Sequence, residues 1–189
     1  MPQSGFVLAG GASTRMGRDK ALLPFHGSTL VQHMAQTVED AVGSVALIGD
    51  PARYARLGYP VYPDKFAGCG PLGGIYTALS VSPNDWNLIL ACDMPGVTAD
   101  LLRRLTEIAL ESNAACVATA GLAGDPEPLC AAYHRSCLPV LERAIEGKRF
   151  KMKDLVKELG SRIVPAPTSA LANVNTPGEW ADFKTNPIR

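Results

Sequence analysis

The sequence predicts an α/β fold, a three-layer α/β/α arrangement around a mostly parallel sheet. Three observations carry this. Short apolar runs alternate with helix-periodic stretches along the chain, as in a parallel sheet covered by helices. The first run, Gly5 to Leu8, breaks at Gly10 and Gly11 into a polar loop. Trp86 to Ala91 is the most apolar run, as a central strand buried on both faces requires. At 189 residues, with no linker or internal repeat, one domain over 1–189 is expected.

Each element follows in order. After the first strand and its loop, Ser28 is placed to cap a helix that carries Val31, Met34, Ala35 and Val38 on one face. Val45 to Ile48 make a second strand, ended by Gly49-Asp50-Pro51, and a short helical piece over 52–57 leads to a third strand around 59–62. Leu72 to Ser80 has helical spacing, with Leu72, Ile75, Tyr76 and Leu79 on its buried side. The central strand runs into Cys92-Asp93-Met94-Pro95. Thr98 caps the next helix, whose Leu101, Leu105 and Ile108 recur at helical intervals. Ala115 to Thr119 is a strand, Gly121 to Pro128 a polar turn, and Leu129 to Tyr133 another strand. Helices over 139–146 and 153–159 precede a last strand at Ile163-Val164. Thr176, Pro177 and Glu179 form a capping box with proline at the first helical position.

Composition narrows the function. Formal net charge is zero, so no bulk field recruits nucleic acid or an anionic membrane. No apolar stretch approaches the ~20 residues that span a bilayer, and the first residues lack a signal-peptide pattern. Five scattered cysteines show no zinc-ligand spacing, which suits reduced thiols in the cytoplasm. The 18 glycines and 15 prolines exceed the roughly 12% average for the pair and imply many shaped loops. His26, His33 and His134 are scattered without a Ser or Cys partner, which points to packing and surface roles.

The loop after the first strand, GGASTRMGRDK, is the chemical centre of the sequence. Glycines at the carboxyl end of a parallel strand let backbone N–H groups approach a phosphate, and Arg15 and Lys20 supply the neutralising charge. The spacing is neither a Walker A loop nor the dinucleotide fingerprint, because Arg18 and Asp19 precede Lys20 and Gly10 and Gly11 are adjacent. Asp93, just past the buried strand and at the same sheet edge, is placed to hold a hard cation that shares phosphate oxygens. Lys148, Arg149, Lys151 and Lys153 form a basic cluster at a helix start, with a solvated face as its plainest reading.

Leu8 to Leu22 reads LAGG-x-S-x-RMG-x-DKAL and resembles the nucleotide-binding signature of the molybdenum cofactor guanylyltransferases, the MobA family. Pro63-Asp64, GPLGGI (70–75), CDMP (92–95) and NVNTP (173–177) continue the resemblance over nearly the whole chain. The first motif is shared with sugar-phosphate and other small nucleotidyltransferases; the last points to the guanylyltransferase branch.

The resemblance implies a Rossmann-like sheet of the nucleotide-diphospho-sugar transferase type. It also implies transfer of GMP from GTP to the phosphate of molybdopterin, or Mo-molybdopterin, with release of pyrophosphate. Mg²⁺ is the implied cofactor, held by Asp93, with Lys20 and Arg15 on the phosphates. Leu8, Ala9, Gly10 and Gly11 are the implied backbone contacts to the nucleotide, and Asp64 a further one. Asn173 and Asn175 would face the pterin, and molybdoenzyme maturation proteins are implied partners. The family's second-strand asparagine is replaced here by the run Leu47-Ile48-Gly49-Asp50. A cytidylyltransferase, a sugar-1-phosphate nucleotidyltransferase and a non-catalytic maturation factor are the competing readings.

Overall fold

The computed structural model describes residues 3–10, 19–121 and 124–185, with side chains omitted at 177, 182, 184 and 185. Seven strands form the main sheet: β1 (Gln3–Leu8), β4 (Val45–Ile48), β5 (Val61–Tyr62), β6 (Trp86–Ala91), β7 (Cys116–Ala120), β8 (Pro126–His134) and β9 (Arg162–Pro165). Their order is β5-β4-β1-β6-β8-β7-β9, so β6 lies at the centre as its apolar run requires. All neighbours pair in parallel except β8, which is antiparallel to both β6 and β7. A second, two-stranded sheet joins β2 (Pro24–Phe25) to β3 (Ser28–Thr29).

Among the described residues seven α-helices complete the fold: α1 (Leu30–Val42), α2 (Pro51–Tyr54), α3 (Pro71–Val81), α4 (Ala99–Glu111), α5 (Leu138–Glu146), α6 (Met152–Glu158) and α7 (Pro177–Thr185). Side chains alternate across each strand, so Val7 joins one core with α1 and α4 while Phe6 and Leu8 join the other with α3, α5 and α6. These are the three expected layers. No helix among the described residues is long and apolar enough to cross a membrane.

Close approach of α1 to the sheet depends on Gly5. A Cβ there would lie 2.2 Å from Val38 Cγ1 and 2.6 Å from the Ser44 carbonyl oxygen. Backbone cannot yield as a side chain can, so Gly5→Ala should cost about 1–3 kcal/mol of stability. A lowered urea midpoint with an unchanged m-value is the expected result; an unchanged midpoint would show that α1 shifts freely.

Four local expectations need correction. The cap of α1 is Thr29, not Ser28, because 28–29 pair with 24–25 as a hairpin and Ser28 Oγ donates to Phe25 O. Gln32 Oε1 accepts from the Thr29 N–H at 3.2 Å. The third strand begins at Val61, since Tyr59 and Pro60 belong to the preceding turn. The polar turn predicted over 121–128 is shorter, because β8 already starts at Pro126; a register shift at Ala118/Thr119 lets β7 follow it past two prolines. His26 and His33 are not scattered: both rings stack edge-on against Phe25, at 4.3 and 4.6 Å. Burial and the neighbouring His26 hold the His33 pKa below the usual histidine value.

Candidate functional site

The site lies at the carboxyl edge of the parallel strands. β1 ends where Leu8 pairs with Ile48 on one side and Ala91 on the other. Leu8 O accepts from Cys92 N, and Ala9 N donates to Ile48 O, so three strand ends are stitched level with one another. An α/β sheet of this kind takes its ligands in the crevice beyond that edge.

Three widely separated motifs converge there. Lys20 opens a one-turn 3₁₀ helix over Lys20–Leu22, which Asp19 caps by accepting the Ala21 N–H at 3.0 Å. From that turn Lys20 Nζ donates to Asp93 Oδ2 at 2.6 Å and to Asn175 Oδ1 at 2.9 Å. Asp93 follows β6, and its carbonyl accepts from Val174 N at 2.9 Å, so the 173–177 segment is moored on the aspartate itself. The capping box holds Asn175 in place. Glu179 Oε2 accepts from Asn175 N at 2.6 Å, the largest cause of a carboxyl held below its usual range, and from Thr176 N at 2.9 Å. Glu179 N completes the box by donating to Thr176 Oγ1.

Lys20 and Asp93 side chains are 19% and 17% exposed, so both are braced yet remain within reach of a ligand. Among the described residues no three His, Cys, Asp or Glu gather into a cation cage. A single partly exposed carboxylate fits a hard cation that completes its shell with water and phosphate oxygens. Cys92, beside Asp93, is no nucleophile: burial first, then the Asp93 charge, pushes its thiol up to about 12.

A brace under the loop was not anticipated from sequence. Tyr54, buried at the end of α2, presents its phenol to Ala9 O at 2.6 Å and Asp19 Oδ2 at 2.8 Å. Burial, then the bond to Asp19, raises its pKa above the usual tyrosine value, so the proton stays on. Arg53 adds an ion pair to Asp19 at 3.2 Å. Asp19 is thus a positioning residue for the turn that carries Lys20. An aromatic residue in a short helix after a strand end was the only available sign. Asp50 caps α2 by accepting from Ala52 N, which accounts for it without a ligand.

The remaining predicted residues divide. Asn173 is exposed, whereas Asn175 joins the Lys20 cluster. Leu8 and Ala9 are buried, with backbone groups engaged as above, whereas Gly10 is exposed with open space around it. Gly11 and Arg15 lie outside the described residues. Asp64 lies in the loop between β5 and α3, where Oδ1 accepts from Phe66 N at 2.9 Å. A Cβ on Gly73 would fall 2.7 Å from that oxygen, so this glycine makes room for the carboxylate. Lys151 and Lys153 of the basic cluster line a cavity of about 440 Å³, while Arg149 pairs with Glu158.

A lysine ammonium locked to a strand-end carboxylate, in the ligand crevice of a parallel sheet, equips a protein to bind phosphate and transfer it or a group attached to it. Known proteins narrow that class. Residues 5–163 match the MobA-like NTP transferase domain, and the chain belongs to this family. It is 36% identical to the molybdenum cofactor guanylyltransferase of Acidiphilium cryptum, over 90% of this chain and 88% of that protein. It is 34% identical to a protein of Flavobacterium johnsoniae named a probable molybdenum cofactor guanylyltransferase, with 96% of each covered. Among solved structures, molybdopterin-guanine dinucleotide biosynthesis protein A of Archaeoglobus fulgidus superposes with a TM-score of 0.82 at 22% identity, covering 96% of this chain and 97% of that one. The chain is a nucleotidyltransferase with the nucleotide-diphospho-sugar transferase fold.

Proposed function

We propose that this protein transfers GMP from GTP to the terminal phosphate of molybdopterin, or of its molybdenum-loaded form, within a single domain. The convergence of Lys20, Asp93 and Asn175 on one point carries the reading. An acceptor phosphate oxygen attacks the α-phosphorus in line, a new P–O bond forms, and the bond to the leaving pyrophosphate breaks. The attacking phosphate is already ionised near neutral pH, so no general base is required.

Lys20, with Arg15, neutralises charge on the phosphates, and the amide of Asn175 aims the ammonium. Leu8 and Ala9, with backbone groups engaged in the protein, support the loop in which Gly10 and Gly11 offer backbone to the nucleotide. Asp64 offers a carboxylate to the N1–H and 2-amino edge of guanine. Asp93 holds Mg²⁺, which when bound supplies charge neutralisation at the phosphate oxygens. Catalysis is then positioning and electrostatics. Asn173, on the same segment as Asn175, faces the acceptor. The five free thiols suit a cytoplasmic setting, with the product passing to molybdoenzyme maturation proteins.

Calorimetry with GTP, CTP, ATP and UTP in Mg²⁺ tests the donor. GTP should bind at least about tenfold more tightly than the others, the discrimination expected of one well-made hydrogen-bonded pair. A preference for CTP would move the protein to cytidylyl transfer on the same machinery.

A further inference from the structure

We infer that Glu127 selects the acceptor of this reaction, its carboxylate reading the adjacent N3–H and 2-amino edge of a pterin lodged in the cavity that Glu127 lines. The inference deepens the guanylyltransferase reading and rests on it. Position comes first. In the β6–β8 ladder Leu90 pairs with Cys130, so the residues before Cys130 lead on from that last pair toward the carboxyl end of β6. Asp93 is near enough for its charge to act on the Glu127 carboxyl. Strand order puts Asp64, which follows β5, and Glu127, on β8, on opposite flanks of Asp93. Two carboxylates thus stand ready for two heterocycles, one on each side of the transferred phosphate.

The surroundings of Glu127 fit a flat, donor-edged ring. Its Oε1 accepts the Leu129 N–H at 3.1 Å, which fixes the carboxylate plane. No hydrogen bond from the described residues reaches Oε2. Burial is the first cause of a carboxyl pKa held above the usual glutamate value, offset in part by the Leu129 N–H and the Lys153 charge. The cavity of about 440 Å³ is within the range of small-molecule sites. Pro71, Pro128, Leu129, Phe150 and Met152 give it apolar walls, and the Phe150 ring is 40% exposed. Lys151 and Lys153 stand at the same cavity, with Lys153 shared with Asp125 at 3.4 Å. These cations suit the anionic groups that such an acceptor carries besides its phosphate.

Steady-state kinetics with GTP and molybdopterin test the assignment through Glu127→Gln. The glutamine oxygen can keep the Leu129 bond, but its NH₂ faces a pterin donor with another donor. Losing one charge-assisted hydrogen bond and creating that clash should raise the acceptor KM about 10- to 100-fold. The GTP KM should stay within about twofold, and kcat at saturating acceptor within a few-fold. Glu127→Asp, which keeps the charge on a shorter stem, should recover part of the loss. An unchanged acceptor KM, or a GTP KM that rises in step with it, would overturn the assignment while leaving the guanylyl transfer reading standing. Failure of the wild-type protein to transfer GMP to molybdopterin would remove that reading and this inference together.

Discussion

Replacing Asp93 with alanine should cut guanylyl transfer by about a thousandfold or more and leave the protein folded. The two halves have separate physical grounds. A metal-holding carboxylate contributes several kcal/mol to stabilising charge on the reacting phosphates, and about 4 kcal/mol corresponds to a thousandfold. The stability cost should stay within about 1–3 kcal/mol, because the pair is mostly buried but Lys20 keeps its bond to Asn175 and some contact with solvent. The bond from Val174 N to Asp93 O belongs to the backbone and survives the substitution. Asparagine should lose as much activity as alanine, since it keeps the shape without the charge. Turnover near the wild-type rate in Mg²⁺ would show that the cation is held elsewhere.

Lys20→Met should produce two opposite effects. Transfer should fall about 100- to 1,000-fold, the range seen when one preorganised donor to developing charge is removed. Divalent-cation binding without nucleotide should instead strengthen, by about tenfold. In the structure the Lys20 ammonium occupies Asp93 Oδ2 at 2.6 Å, so an incoming cation must displace it and work against its charge. A phosphate arriving with the cation gives the ammonium a new partner, and the exchange becomes favourable. Manganese titration followed by electron paramagnetic resonance reads this directly. Equal manganese affinity in the variant and the wild type would mean that Lys20 does not compete for the carboxylate.

Much of this was legible in the chain because the signals were local and strong. Six largely apolar residues at 86–91 could only be a buried strand, and β6 is the centre of the sheet. Thr176, Pro177 and Glu179 announced a helix start, and the reciprocal bonds are present. What escaped depended on tertiary proximity. Pro126 and Pro128 disguised the beginning of β8 as a turn, which hid Glu127 on an interior strand. Tyr54 reaches Asp19 across 35 positions, and no periodicity reports such a contact. The two asparagines of the 173–177 segment looked equivalent, yet Asn175 bonds Lys20 while Asn173 is exposed. Alternation in sequence marks faces; it does not say which residue of a face finds a partner.

The bond between Lys20 and Asn175 spans 155 positions, and this gives the protein a timetable. At ordinary synthesis rates of about 5–20 residues per second, roughly 8–30 seconds separate the two residues on the ribosome. All seven strands of the sheet are made by Pro165, before the amide that aims the lysine exists. A growing chain therefore completes its sheet before it carries the amide that bonds Lys20. The segment that moors on Asp93 arrives last, so an interrupted chain is left without the amide that bonds its lysine.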